Sequence, residues 1–160
     1  YILQKDVAGV NIAKSEKVTF STPLASVFPS PLPLPIVSPV MQSANSVWNE
    51  INNYRSTKNL GQLEINQDLC DFARQRLNSL IASNSLHHNG FSELTNKYLQ
   101  EKNFSQIGEN LSLGFSDSKK IVEEWGKSDT HKILLETPDL SLGCVVEQNS
   151  FVVFVGGSNL

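Results

Sequence analysis

The 160-residue chain has only two cysteines, one methionine and three histidines, and it has no run of like charge. Two cysteines are too few for a scaffold held together by a dense disulfide framework. The 13 basic and 16 acidic side chains are interspersed and sum to a net charge of -3. The charge footprint of a nucleic-acid binder, or of a protein drawn to an anionic membrane surface, is therefore missing. No stretch approaches the roughly 20 apolar residues that cross a bilayer. Tyr1 to Lys5 is too short and polar for a complete signal peptide, and without an initiating methionine we expect that the natural N-terminus was removed by processing or by design. Two hydrolase motifs are missing as well, the His-Glu-x-x-His helix and the Gly-x-Ser-x-Gly elbow.

What is present fits an ordinary globular chain, with 39% hydrophobic and 18% charged residues. At this length folding buries roughly two-thirds of the unfolded surface, so a core forms without help from a metal or a cross-link. Six of the seven prolines lie between Pro23 and Pro39, where Pro29, Pro31, Pro33 and Pro35 alternate with other residues and block both helix and central strand. Residues 1–42 thus read as a Pro-rich linker or extended arm, with Val7 to Val10 and Val18 to Phe20 apolar enough to lie against the rest. Residues 43–160 read as one domain.

Within that domain Ala44, Val47, Trp48, Ile51 and Tyr54 form a helical stripe. A second helix is capped by Asn66, carries Asp68 in its first turn, and buries Leu69, Phe72, Ala73, Arg76, Leu77 and Leu80. A shorter helix is predicted over Ser92 to about Glu101. Ile107, Glu109, Leu111 and Leu113 alternate with Gly108, Asn110, Ser112 and Gly114, which is strand periodicity. Helices over Asp117 to Lys127, burying Ile121, Val122 and Trp125, and over Asp129 to Leu135 come next. Leu140 to Glu147 and Phe151 to Val155 close the chain as a hairpin. Helices first and antiparallel strands late predict an α+β fold with helices on a small sheet.

Glu109 is the sharpest signal, because a carboxylate on the apolar face of a strand needs a cation, hydrogen-bond donors or a metal. His131 shares a helical face with Leu134 and Leu135 and so points toward the protein. His87 and His88 lie in a polar stretch before the turn signal Asn89-Gly90. Two histidines and one glutamate match the ligand types of catalytic zinc sites, which makes His88, Glu109 and His131 a candidate metal set. Ser128, three residues before His131, is a nucleophile candidate with Glu109 as orienting carboxylate; its bland alternative is a helix cap, a role Asp129 also suits.

Taken together, Asn52 or Asn53 with Arg55 in the first helix, Leu63, His88, Gly108-Glu109-Asn110 and Trp125-x-x-Ser128-x-x-His131 resemble the CAP superfamily, also called SCP/PR-1, and are most similar to its compact bacterial branch. The resemblance covers about Ser43 to Leu160. It implies an α-β-α sandwich with a central cleft lined by His88, Glu109 and His131, with His87 as alternative to His88, and an extracellular or cell-surface location. Animal and plant members carry a second glutamate where Ser128 stands here, which weakens ion binding, although Glu124 approaches the cleft if its helix is rotated.

Cys70 borders the buried face of the second helix and Cys144 alternates with Leu140, Leu142 and Val146. Both point inward, so either a disulfide or two small buried thiols fits. Asn103-Phe104-Ser105 and Asn110-Leu111-Ser112 match the glycosylation acceptor pattern. Three functions are open: a non-enzymatic binding module for a small ligand, lipid, glycan or protein, with no cofactor required; a hydrolase using the cleft residues with a weakly bound divalent cation such as zinc; and a structural domain in which the same residues form a buried hydrogen-bond network.

Overall fold

The element order, in a computed structural model that describes residues 12–14 and 41–160, with side chains from residue 45 onward, is β1 (Ile12–Lys14), α1 (Met41–Thr57), β2 (Glu64–Ile65), α2 (Gln67–Ser83), α3 (Phe91–Glu101), β3 (Phe104–Leu113), α4 (Ser118–Lys127), α5 (His131–Glu136), β4 (Leu142–Gln148) and β5 (Phe151–Asn159). Apart from Ile12–Lys14, the predicted arm up to Val40 lies outside the described residues.

Local chemistry accounts for most of these boundaries. Asn66 Oδ1 accepts from Leu69 N and caps α2, while Asn84 stops that helix in the left-handed conformation at φ 48°. Asp117 caps α4 by accepting from the backbone N of Lys119 and Lys120. The last helix begins at His131, two residues later than predicted: Asp129 is exposed and pairs with Lys132 instead of capping.

The sheet has the order β1-β3-β5-β4-β2 and is antiparallel except where β2 runs parallel to β4. Helices cover both faces, as the α-β-α expectation requires. Strand β5 shows why. Phe151, Val153 and Val155 enter one apolar cluster with Leu69, Phe72, Leu77 and Leu80 of α2. Val152 and Phe154 enter a second cluster with Val47 and Ile51 of α1 and Ile121, Val122 and Trp125 of α4. A strand buried on both faces reads as a continuous apolar run, which β5 does.

Strand β3 departs from the one-sided alternation that its sequence suggests. Ile107, Glu109 and Leu111 share one buried face, as predicted, and that face meets α2; Asn110 and Ser112 on the other side are buried too. The second helical layer lies there. Trp125 Nε1 donates to Leu111 O at 3.0 Å, and Asn110 Nδ2 donates to His131 O at 2.9 Å.

Contact between α1 and α4 depends on Gly126. A Cβ at this position would sit 2.6 Å from Tyr54 Cε2. That ring is held, because Tyr54 Oη donates to Glu136 Oε1 at 2.6 Å. Burial first, and the Glu136 carboxylate second, push the Tyr54 phenol up to about 12. Gly126→Ala should therefore cost about 1–3 kcal/mol of overpacking, outweighing the ~1 kcal/mol that alanine gains in helix propensity. A urea unfolding midpoint at or above that of the unsubstituted chain would contradict this contact.

Candidate functional site

The site is built where α2, the 84–90 loop and β3 meet. Glu109 stands on the α2 side of β3 with 0% exposure, so its charge must be met from within. Arg76, on the inner face of α2 and 2% exposed, meets it in a fork: Nε donates to Oε2 at 2.8 Å and Nη2 to Oε1 at 3.0 Å. Planar guanidinium and planar carboxylate make this a bidentate pair. His88 completes the cluster by donating from Nδ1 to Glu109 Oε1 at 2.7 Å, since an ionised carboxylate only accepts.

The remaining Arg76 donors hold the loop. Nη1 donates to Asn89 O at 2.7 Å and Nη2 to His87 O at 2.8 Å. Gly90, at φ 80°, then turns the chain into α3, a conformation that favours glycine. One guanidinium thus ties helix, loop and strand together, and it fixes which histidine faces Glu109. It is His88; His87 turns the other way and places Nε2 2.9 Å from Ser83 Oγ.

His131 belongs to the opposite layer. It is buried, its Nδ1 lies 2.9 Å from Ser128 Oγ, and Ser128 Oγ also accepts from the His131 backbone N at 3.4 Å. Ser128 ends α4, with its N–H donating to Glu124 O and Trp125 O, so it orients the imidazole and joins two helices. In the nucleophile arrangement of Ser128, His131 and Glu109, Ser128 meets the imidazole of His131, while both oxygens of Glu109 accept from Arg76 and one of them also meets His88. Glu124 does not approach the site either. It is exposed, and its Oε1 lies 2.8 Å from Lys127 Nζ.

The candidate zinc set meets the same obstacle. Among the described residues no three His, Cys, Asp or Glu side chains are grouped so as to hold a metal ion. The donor chemistry gives the reason, because both oxygens of Glu109 already accept from a guanidinium that no ion displaces without leaving a buried cation behind. These residues as arranged do not fit a bound zinc.

Two buried arginines were named in the sequence without a partner. Arg76 was legible as a buried-face residue of α2, but its partner was not; a cation on one apolar face and a carboxylate on another was the available signal. Arg55, 0% exposed, is met by backbone carbonyls among the described residues. Its Nε donates to Gly61 O, Nη1 to Leu135 O and Thr137 O, and Nη2 to Leu140 O. It closes the C-terminal end of α5, where a cation complements the helix dipole, and burial lowers its pKa. Cys70 and Cys144 form a disulfide with Cα atoms 5.0 Å apart, joining α2 to β4. Of the two glycosylation patterns, Asn103 is exposed while Asn110 is fully buried and out of reach of modification.

The model of a family described as "CAP: Cysteine-rich secretory protein family" matches residues 48–155. Similar solved structures include a cysteine-rich secretory protein from Staphylococcus aureus subsp. aureus Mu50, with 19% identity, a TM-score of 0.68, and coverage of 77% of this chain and 40% of that one. An outer surface protein from Borrelia burgdorferi has 22% identity and a TM-score of 0.64 over 75% of this chain and 95% of its own. An extracellular protein containing a SCP domain from Bacillus anthracis str. Ames has 20% identity and a TM-score of 0.67 over 83% and 46%. The chain spans less than half of the staphylococcal and Bacillus proteins, and at these identities the likeness is one of fold. No curated protein matches.

Proposed function

The chain belongs to the CAP, or cysteine-rich secretory protein, family, and from that premise we propose that it is an extracellular or cell-surface binding module without catalytic activity. One observation carries the reading. Glu109, the single carboxylate of the cluster, is fully buried and has both oxygens committed to Arg76 and His88. A general base or nucleophile has to reach a substrate, and this fully buried group lacks the exposure. The cluster acts as a buried hydrogen-bond network that fixes the loop at 84–90 against the sheet, leaving recognition of a small ligand, lipid, glycan or protein to the surface around it.

Location is supported separately. Similar structures are described as an outer surface protein and an extracellular protein, and the Cys70–Cys144 disulfide suits an oxidising compartment. No described helix is long and apolar enough to cross a membrane.

The test compares the unsubstituted chain with His88→Ala and His131→Ala in peptide and ester cleavage assays, alongside thermal melts. Background cleavage in all three, with lower melting temperatures in the variants, is the expected outcome. Cleavage above background that disappears in His88→Ala at an unchanged melting temperature would assign the hydrolase function instead.

A further inference from the structure

Arg76 makes four hydrogen-bonded contacts to oxygen: Glu109 Oε1 and Oε2, His87 O and Asn89 O, at 2.7 to 3.0 Å. These oxygens come from β3 and from the loop after α2, and His88 Nδ1 is hydrogen-bonded to one of them, Glu109 Oε1. A carboxylate, two carbonyls and an imidazole are the donor types that divalent cations take. Here the carboxylate and the two carbonyls accept from a guanidinium, and the imidazole meets the same carboxylate from outside it.

We infer that Arg76 is the resident cation of this cluster and the residue that decides its ligand specificity: while it is present the cluster rejects divalent metal, and its removal opens a zinc site at Glu109 and His88. The inference rests on reading the cluster as structural rather than catalytic. Arg76 and Glu109 sum to zero, so the buried pair is neutral; a zinc ion beside them would place two further positive charges next to a guanidinium with almost no water to screen them. Zinc would also need a Glu109 lone pair that Arg76 occupies in the required direction. Remove the guanidinium, and an uncompensated carboxylate remains beside an imidazole nitrogen and two inward carbonyls.

The experiment is a calorimetric titration with zinc chloride of the full chain, Arg76→Lys, Arg76→Gln, and Arg76→Gln combined with Glu109→Gln. Lysine keeps the charge, so Arg76→Lys and the unsubstituted chain should bind zinc equally weakly. Arg76→Gln should bind at least ~10-fold more tightly, a change of the size that neighbours of metal ligands produce, and the double variant should lose that gain. A folded Arg76→Gln chain, checked by circular dichroism, that gains no affinity overturns the inference. So does zinc binding to the unsubstituted chain that falls in His88→Ala, and this second comparison stands even where Arg76→Gln fails to fold. Zinc binding by the unsubstituted chain without hydrolysis would remove this inference while leaving the binding-module reading in place; metal-independent hydrolysis would do the reverse.

Discussion

Replacing Arg76 with methionine is expected to destabilise the protein by about 3–5 kcal/mol, because it takes the bidentate guanidinium partner from the fully buried Glu109 carboxylate. For a domain of this size that corresponds to a fall in melting temperature of roughly 10 °C. The loss has three parts. Glu109 loses its bidentate partner, the carbonyls of His87 and Asn89 lose their donors, and the loop that positions His88 loses its tie to α2. Thermal and urea unfolding measure the total, and Arg76→Met with Glu109→Leu separates its causes. Replacing both charges with apolar groups should recover much of the loss, since most of it is the penalty for one unpaired charge rather than the net worth of the pair. A single variant within about 0.5 kcal/mol of the unsubstituted chain would mean that the carboxylate is compensated elsewhere.

Reducing the Cys70–Cys144 disulfide should cost about 4 kcal/mol in the chain-entropy model. The bridge spans 74 residues of sequence, which covers α2, α3, β3, α4 and α5, so its loss frees most of the domain in the unfolded state. In the folded state little should move, because both sulfurs lie in the apolar cluster between α2 and the sheet and the surrounding packing is unchanged. Melts with and without a reducing agent measure the effect, and Cys70→Ala with Cys144→Ala should reproduce the reduced value. Equal melting temperatures under oxidising and reducing conditions would remove the bridge from the sources of stability.

The layered α+β arrangement was legible because its signals are local. Asn66 caps α2 through the amide three residues on, and the α1 stripe repeats every three or four residues. Glu109 could be placed on the apolar face of β3 from alternation alone. What alternation cannot tell is whether the opposite face is also covered, and that is why the burial of Asn110 and Ser112 had to come from the structure. Strand β2 has two residues and therefore no period, so its parallel pairing with β4 left no trace in the pattern. The wiring around Glu109 was not legible: Glu109 and His88 were each marked, whereas the arginine 33 positions from Glu109 that holds the carboxylate and the loop carrying His88 was hidden among apolar neighbours. His87 and His88 are adjacent, and only the carbonyl held by Arg76 decides between them.

The order of strands in the sheet also bears on synthesis. Strand β5, the last described element of the chain, lies between β3 and β4, so neither of those strands has its main partner until residues 151–159 exist. A ribosome translating this sequence makes α1 to α5 before the strand that closes the sheet they cover. Until then the apolar faces of α2 and α4 have nothing permanent to rest on, and the cost of closing long loops falls on one late step. The nascent chain should therefore remain a client for holding chaperones until β5 emerges, and a stop codon before Phe151 would leave two separated pairs of strands rather than a slightly shorter domain.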